Sequence, residues 1–421
     1  MATTAFDQAG APARAGGPLL VVEDLEVDFK TAEGTVHAVR GVSLRLNPGE
    51  VLGIVGESGS GKSVTAMATM GLLARSAVTR GSVRYRNEEL LHRREKQLMP
   101  VRGKAISMIF QDPMTSLNPV YSVGWQIAEA IRAHQDVSKE EAMRLAIELL
   151  RKVGIPNPEE RVTSYPHEFS GGMRQRVVIA IAIANNPEVI LADEPTTALD
   201  VTVQAQVLET LRTALQVTHA ALLLITHDLG VIAGLADRVL VMYAGRAVEV
   251  GTVDDIFYRP AMPYTIGLLG SLPRVDTDGS ELLRPIPGSP PSMVGEIAGC
   301  PFAPRCPRAV DICWESEPAL VPVGAAASPH LSACHFAEEV MRAGEPLFAA
   351  TSADTETGPG PELDVDTDGH RPEHDMPSPE PGYVLAEGFG RAGPGEYEIP
   401  LMEEEARPGE EPDASRHREE T

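Results

Sequence analysis

Two alternating patterns precede a continuous apolar run in the first part of the chain. Residues 25–29 and 42–46 alternate between apolar and polar side chains, as half-buried strands do, and Glu33 with Gly34 between them predicts a hairpin turn. Residues 51–55 are apolar throughout, which predicts a buried strand, and residues 64–73 follow with a helical pattern. This order predicts an N-terminal antiparallel sheet that leads into a parallel one.

Three further apolar runs, residues 105–110, 189–192 and 221–226, predict buried strands of the parallel sheet. Polar side chains stand where these strands end. They are Gln111, Asp193, Glu194 and His227. Because the strands of an open α/β sheet present their carboxyl ends to a ligand crevice, we expect these side chains to meet at one place.

Helical spacing dominates residues 123–186 and predicts a helical subdomain inserted between strands of the core. Ser138 with Glu141 predicts a capping box at the start of one helix, and Gly154 predicts its end. A later helix begins with small residues at 170–172. A helix start of this kind is either an anion site or a simple N-cap.

The phosphate-loop pattern G-x-x-x-x-G-K-[ST] occupies residues 56–63, directly between a predicted strand and a predicted helix. Its glycines let backbone N–H groups turn toward a phosphate, and the helix start adds about half a positive charge. Lys62 would neutralise β- and γ-phosphate oxygens, and the Ser63 hydroxyl would bind Mg²⁺. The alternative is an ordinary Gly/Ser turn.

The two acids that end the third strand fit this chemistry. Burying a carboxylate costs free energy unless it is paired or serves a metal. Asp193 is therefore the natural partner of the Mg²⁺ site, and Glu194 is the candidate that polarises water. His227 is either a site residue at the crevice or an ordinary structural histidine.

The charge of the chain is concentrated at its end. The 421 residues carry a formal net charge of −24, and the segment 351–421 contributes −15 of it through 20 acidic residues and five arginines. The remainder is too weakly charged to indicate a nucleic-acid surface. The end of the chain is also rich in Pro and Gly and poor in apolar residues, which predicts disorder.

The N-terminal segment, residues 1–18, contains no apolar core of the kind that a secretory signal has. The apolar run at residues 177–184 is far shorter than the ~18–20 residues that a membrane span requires. We therefore expect a cytosolic protein whose membrane role, if it has one, comes through a partner.

Four cysteines follow the predicted core in a Pro-rich segment, and no C-x-x-C pair occurs among them, so a generic zinc ribbon is not favoured. Two of them are followed by proline, as some iron–sulfur ligands are. The spacing leaves iron–sulfur, zinc and free thiols open. His330 and His335 flank the last cysteine and are expected to be solvated. The cysteines are Cys300, Cys306, Cys313 and Cys334.

Taken in order, the phosphate loop, Gln111, Ser170-Gly171-Gly172, Asp193-Glu194, the stretch 198–200 and His227 resemble the ATP-binding subunits of ABC transporters. The resemblance covers residues 19–263. The stretches 111–119 and 193–204 are similar to the dipeptide/oligopeptide and nickel importer branch in particular. Residues 263–265 and the cysteine segment are also similar to that branch.

The resemblance implies an α/β fold of the P-loop NTPase ABC cassette type, with a mixed sheet core, an N-terminal antiparallel sheet, an inserted helical subdomain and a small Cys-containing extension. It implies an ATP-binding domain at 19–262 with its helical subdomain at about 113–186. A four-cysteine region at 263–345 follows, and disordered ends at 1–18 and 346–421 complete the division.

The resemblance also implies a composite site, in which two cassettes close head to tail on ATP. Phe29 would stack on adenine, Glu194 would be the general base, His227 would hold the γ-phosphate and Asp200 would signal across the dimer. Mg²⁺ would be held by Ser63 and Gln111 with Asp193. Ser170, Gly171 and Gly172 of one cassette would cap the phosphate bound by the other. The phosphates would lie on Gly56, Glu57, Ser58, Gly59, Ser60, Gly61, Lys62, Ser63 and Val64.

The implied activity is ATP hydrolysis that powers import of di- or oligopeptides. The implied partners are a second, paralogous ATPase subunit, two transmembrane permeases and an extracytoplasmic solute-binding protein, without nucleic acid. The subunit would sit at the cytoplasmic face of the cell membrane, and the four cysteines would carry a [4Fe–4S] cluster. An importer ATPase for nickel or another small solute, or a soluble ABC ATPase, is the alternative.

Overall fold

The structure is a computed structural model that describes residues 17–197, 199–271, 285–295, 297–324 and 330–343. These residues all belong to one compact unit, residues 1–355. The predicted disorder of the two ends concerns residues that lie, apart from 17 and 18, outside the described part of the chain.

The elements follow the chain in a simple order. The strands are β1 (Leu20–Thr31), β2 (Gly34–Leu46), β3 (Val51–Val55), β4 (Ala77–Tyr85), β5 (Glu88–Glu89), β6 (Ile106–Ile109), β7 (Val189–Asp193), β8 (Ala221–Ile225), β9 (Arg238–Tyr243), β10 (Arg246–Thr252), β11 (Val321–Pro322) and β12 (Leu331–Ser332). The helices are α1 (Lys62–Thr69), α2 (Glu95–Leu98), α3 (Pro113–Ser116), α4 (Val123–Arg132), α5 (Lys139–Lys152), α6 (Pro158–Arg161), α7 (Gly171–Ile183), α8 (Val201–Thr218), α9 (Leu229–Leu235), α10 (Val253–Tyr258), α11 (Pro263–Gly270), α12 (Asp311–Glu315) and α13 (Ala337–Ala343). Two short 3-10 turns lie at Pro166–Glu168 and Ala303–Arg305.

The N-terminal strands form the predicted antiparallel sheet, in the order β2-β1-β4-β5. β1 and β2 are longer than the alternating patterns indicated, and they join at the predicted turn, where Thr31 pairs with Gly34. A β-bulge between Val22 and Leu25 shifts the register of β1. The alternating pattern that predicted this strand therefore does not reach its first residues. Their apolar faces pack on α1 and one face of the second sheet.

The second sheet is mixed and has the order β11-β12-β10-β9-β3-β8-β7-β6. Its central strands β9, β3, β8, β7 and β6 run parallel, and β10 closes the parallel set antiparallel to β9. β7 and β8 are buried along their whole length, and β3 is buried from its second residue. Burial on both faces is why these strands are apolar without alternation.

The helices α3–α7 form the predicted insertion between β6 and β7. α7 packs against α8, and a Cβ on Gly172 would lie only 2.4 Å from Cγ1 of Val203, so a glycine is required at this contact. At the start of α5 the Ser138 hydroxyl accepts the Glu141 N–H, but the Glu141 carboxylate binds Arg144 instead of returning to the cap. The predicted capping box is therefore only half formed.

The C-terminal segments join this unit. Residues 293–295 run beside β2, where the His37 N–H donates to the Met293 carbonyl, and β12 pairs with β10. None of the helices in the described ranges combines the length and the apolar character needed to cross a membrane.

Candidate functional site

The carboxyl ends of four parallel strands open into one cavity of about 690 Å³. The phosphate loop follows β3, Gln111 follows β6, Glu194 follows β7 and His227 follows β8. The structure therefore brings together the residues that the sequence placed at strand ends. The cavity is lined by Ala38, Ser58, Gly59, Ser60, Gly61, Lys62, Ser63, Val64, Gln111, Glu194 and His227.

The phosphate loop depends on glycine geometry at its last turn. Gly61 is the N-cap of α1 and has φ 98°, in the left-handed region that other residues avoid. A Cβ at this position would lie 2.4 Å from the Ala38 carbonyl oxygen. The loop therefore turns its backbone toward the cavity at a place where no side chain fits.

Lys62 is held inside this loop. Its Nζ donates to the carbonyl oxygens of Gly56 at 2.9 Å and of Glu57 at 3.0 Å. Burial lowers the pKa of Lys62, and the carboxylates of Glu194, Asp193 and Glu57 oppose that shift. The side chain is thus fixed at the cavity wall in a position to receive phosphate oxygens.

Asp193 does not itself line the cavity, but it is hydrogen-bonded to Ser63, which does. The Ser63 hydroxyl donates to Oδ1 of Asp193 at 2.8 Å. Burial raises the pKa of Asp193, Glu194 adds to that rise, and the Ser63 hydrogen bond and Lys62 oppose it. A divalent cation beside Ser63 would offset the cost of this buried carboxylate.

Glu194 is the centre of a convergent set of donors. Its Oε2 accepts hydrogen bonds from Gln111 Nε2 at 3.3 Å and from Thr197 Oγ1 at 2.8 Å, and it lies 3.2 Å from Nδ1 of His227. Its backbone has φ 46°, a strained value for a non-glycine residue. The neighbouring strand holds this conformation, because the Glu194 N–H donates to the Ile225 carbonyl at 2.9 Å.

Two observations test whether the cavity suits a phosphate and a metal. Ser60 Oγ is buried without a hydrogen-bond partner in the described structure, and it belongs to the loop that would cradle a phosphate. Within the same described ranges no three His, Cys, Asp or Glu side chains converge to hold a metal alone. Mg²⁺ usually keeps only one or two protein ligands and takes the rest from phosphates and water, so the residues fit Mg²⁺ with a nucleotide.

Some predicted site residues lie away from the cavity lining. Ser170 caps α7 through its hydroxyl, which accepts the Met173 N–H at 3.4 Å. Gly171 lies against Leu199, just before α8, and Gly172 lies against Val203 of α8. Asp200 caps α8 by accepting the Val203 N–H at 3.0 Å. Phe29 is half-buried against the core of the N-terminal sheet. The stacking of Phe29 on adenine and the signalling role of Asp200 stay predictions.

Besides Ala38, which lines the cavity, three residues bonded to site residues escaped the sequence analysis. Thr197 bonds Glu194, and the Tyr264 hydroxyl accepts the Glu57 N–H at 2.8 Å. Arg305 forms an ion pair with the Glu57 carboxylate. A threonine in the stretch after Glu194 was a local signal for the first, whereas the other two approach from distant parts of the chain.

The four cysteines line a second cavity of about 170 Å³, and none forms a disulfide. Burial raises the pKa of Cys300 to about 11, raises that of Cys306, and raises that of Cys334 to about 12, so these thiols hold their protons. The donor type suits an iron–sulfur or zinc site. Their side chains do not form a preorganised ligand set in the described structure, so the predicted cluster is not confirmed.

The expectation of solvated histidines beside Cys334 was wrong for His330. Its side chain is buried, and its Nε2 lies 2.7 Å from Oε1 of the buried Glu249. The pairing joins β10 to the segment before β12, and a carboxylate lets a histidine be buried at low cost. His335 is half-buried and lies 3.0 Å from the Ser316 carbonyl.

Comparison with known proteins finds two matching families and a similar solved structure. The family described as ABC transporter matches residues 39–197, and the family described as oligopeptide/dipeptide transporter, C-terminal region, matches residues 248–313. The ATP-binding cassette MJ0796, in a dimeric post-hydrolysis state bound to ADP and Pi, is similar in structure with a TM-score of 0.51 at 26% identity. That likeness covers 56% of this chain and 98% of that one.

Two relatives are similar over most of the described residues. The oligopeptide transport ATP-binding protein OppD of Bacillus subtilis is 54% identical over 307 residues, which are 72% of this chain and 86% of that protein. OppD of Mycobacterium tuberculosis is 58% identical over 318 residues, 75% of this chain. The matched part spans 52% of the mycobacterial protein, about half its length. The chain therefore belongs to the ABC transporter ATP-binding family, in the group that carries the oligopeptide/dipeptide transporter C-terminal region.

Proposed function

We propose that this protein is an ATPase subunit that powers import of di- or oligopeptides. The observation that carries the proposal is that Lys62, Ser63 and Glu194 line one cavity at the phosphate loop, with Ser63 hydrogen-bonded to Asp193. The relatives' peptide-transport names and the matching C-terminal region support the choice of substrate class.

In the proposed reaction, each site residue has one role. Lys62 Nζ and the loop N–H groups bind the β- and γ-phosphates, and Ser63 Oγ with Gln111 would hold Mg²⁺, which neutralises phosphate charge when bound. The Glu194 carboxylate accepts a proton from water as the water oxygen bonds to the γ-phosphorus and the bond to ADP breaks. The His227 ring, already oriented toward Glu194, donates to a γ-phosphate oxygen.

A second cassette completes the proposed site. Ser170 is exposed at the start of the 13-residue helix α7, where the helix dipole favours an anion. It does not line the cavity of its own chain, so we propose that it caps ATP bound by a partner. The dimeric state of MJ0796 supports this arrangement. We propose that this subunit sits at the cytoplasmic face of the cell membrane. Its proposed partners are a paralogous second ATPase subunit, two transmembrane permeases and an extracytoplasmic solute-binding protein.

The test is ATP hydrolysis by the transporter purified with its membrane partners and reconstituted in vesicles. We expect a peptide-loaded binding protein to stimulate MgATP hydrolysis and peptide uptake together. Stimulation by a nickel-loaded binding protein alone would move the assignment to the nickel alternative. Hydrolysis that ignores every binding protein and permease would contradict the importer role.

We further propose that the cysteine cavity holds a [4Fe–4S] cluster, which would cross-link the C-terminal region. The supporting observation is that all four thiols line one cavity. Anaerobic purification followed by iron, zinc and sulfide analysis and visible absorption tests it. We expect about four irons per chain and broad visible absorption. Stoichiometric zinc, or a colourless metal-free protein, would contradict the cluster and leave the ATPase proposal intact.

Asp193→Asn should stabilise the nucleotide-free protein while abolishing Mg²⁺-dependent hydrolysis. Burial raises the pKa of Asp193, so the protonated carboxyl contributes to the stability of the folded protein at low pH. This contribution is lost as pH rises through that pKa. At neutral pH the buried carboxylate therefore costs stability, and asparagine removes the charge.

Thermal denaturation of parent and variant without nucleotide, as a function of pH, measures this effect. We expect a higher melting temperature for Asp193→Asn at neutral pH and a difference that shrinks in acid. The control is Asp237→Asn, an exposed carboxylate that accepts the Val51 N–H outside the cavity. Equal melting temperatures for Asp193→Asn and the parent at neutral pH would contradict the expectation.

A further inference from the structure

The phosphate loop contains a carboxylate where an anion is to bind. Glu57 is the second residue of the loop, and its backbone carbonyl oxygen lies 3.0 Å from Lys62 Nζ. Its side chain is 25% exposed, so its charge is only partly screened by water. Without a partner, this negative charge on the phosphate loop would oppose binding of a triphosphate by like-charge repulsion.

Arg305 neutralises this carboxylate with two parallel hydrogen bonds. Its Nη1 donates to Oε2 of Glu57 at 2.7 Å and its Nη2 donates to Oε1 at 3.0 Å. This fork geometry is the strongest and most directional pairing that arginine makes with a carboxylate. The guanidinium thus fixes the direction of the Glu57 side chain as well as offsetting its charge.

The arginine is itself held rigidly. Its side chain is 5% exposed, its Nε donates to the Pro287 carbonyl at 3.0 Å, and its guanidinium carbon lies 5.9 Å from the ring centres of Tyr243 and Phe302. A group fixed by this many contacts loses little further freedom when it binds Glu57. Arg305 ends the short turn Ala303–Arg305, so the C-terminal region supplies the cation.

Tyr264 holds the backbone of the same loop residue. Its hydroxyl accepts the Glu57 N–H at 2.8 Å, and its ring is fully buried beside Tyr243 and Phe302, at 4.5 and 5.4 Å between ring centres. Side chain and backbone of Glu57 are therefore both held by residues from outside the phosphate loop. The aromatic cluster ties these two anchors together.

We propose that Arg305 is a positioning residue for nucleotide binding, which neutralises Glu57 and keeps its carboxylate turned away from the bound phosphates. The inference rests on the proposed function, because it assumes that ATP binds in the cavity beside the loop. It makes the C-terminal region a part of the nucleotide site in each cassette. The segment that carries the cysteines therefore sets the affinity for ATP.

The test compares MgATP affinity, turnover and melting temperature in Arg305→Gln, Arg305→Lys and the double variant Glu57→Gln/Arg305→Gln. We expect Arg305→Gln to weaken MgATP binding about tenfold, with turnover at saturating ATP changed much less, because an uncompensated charge acts on binding. The double variant removes both charges and should recover affinity to within about threefold of the parent. Arg305→Lys keeps the charge and should retain most of the affinity.

Arg238→Gln is the matched control for loss of a buried ion pair. Arg238 pairs with Glu50 at 2.8 Å, both side chains being 6% exposed, at the opposite end of β3 from the phosphate loop. We expect it to lower the melting temperature without changing MgATP affinity. If Arg305 had only a structural role, Arg305→Gln would give the same pattern, a lower melting temperature with the parent's MgATP affinity.

Two results would overturn this inference and leave the proposed function intact. One is an Arg305→Gln variant that binds MgATP as tightly as the parent, and the other is a double variant that binds as weakly as Arg305→Gln. Should Arg305→Gln fail to fold, the double variant and Arg305→Lys decide the question, since a tenfold loss in both contradicts a role based on charge. A parent protein that does not bind MgATP contradicts the proposed function instead.

Discussion

Glu194→Gln should lower ATP hydrolysis by at least about 10²-fold, the usual effect of removing a general base. The amide has nearly the same shape and still accepts hydrogen bonds from Gln111 and Thr197, but it takes no proton from water. MgATP binding should therefore survive, and the ATP-bound closed dimer should accumulate because it is no longer consumed. Phosphate release and equilibrium nucleotide binding measure the two effects separately.

The control for this variant is a carboxylate at the other end of β7. Glu188 precedes β7 at its other end and pairs with Arg86 at 2.7 Å, far along the strand from the cavity. Glu188→Gln should leave turnover unchanged. Hydrolysis by Glu194→Gln at the parent rate would remove Glu194 from the mechanism, whatever its geometry.

Lys62→Ala should weaken MgATP binding and lower turnover by about 10²-fold or more, in line with the loss of one preorganised phosphate ligand. The substitution removes a buried ammonium from the cavity and also the hydrogen bonds that join it to the carbonyls of Gly56 and Glu57. Both losses weaken phosphate binding, because the loop that loses these hydrogen bonds also supplies the N–H groups that surround the phosphates. Titration with MgATP and a turnover assay at saturating ATP give the two numbers.

An exposed lysine serves as the control for Lys62→Ala. Lys152 ends α5 in the helical insertion and does not line the cavity. Lys152→Ala should bind and hydrolyse ATP as the parent does. Unchanged nucleotide affinity in Lys62→Ala would contradict the assignment of the cavity to triphosphate binding.

The parallel strands and the phosphate loop were predictable because their signals are local. β3, β7 and β8 are continuous apolar runs since both faces of the sheet are covered, and residues 56–63 spell a known loop between a strand and a helix. The meeting of Gln111, Glu194 and His227 followed from one topological rule about strand ends. The structure confirms that they line one cavity.

The remaining contacts carry no local signal. Arg305 and Glu57 are 248 positions apart, and Arg305 stands in an irregular Pro-rich segment where no periodicity indicates a direction. The burial of His330 depends likewise on Glu249, 81 positions away. Such pairs depend on how distant segments pack, which residue spacing within either segment does not encode.

The proposed composite site also exceeds what residue spacing within one chain can show. Ser170 lies on the surface, capping its own helix, and its proposed partner is a phosphate on another molecule. In the proposed arrangement one cassette binds ATP on its phosphate loop and a second cassette completes the site.

Mixing two inactive variants of this chain tests the composite site in dimers of two identical copies, formed without the paralogous subunit and first shown to hydrolyse ATP as the parent chain. Lys62→Ala lacks a working phosphate loop, Ser170→Arg lacks a working cap, and each should hydrolyse ATP at a small fraction of the parent rate when assayed alone. A mixed dimer has one site with an intact loop from one chain and an intact cap from the other. Random pairing makes half of the dimers mixed, and each mixed dimer has one working site of two, so we expect mixing to restore about a quarter of the parent rate. A mixture that stays as inactive as its components would contradict the composite site.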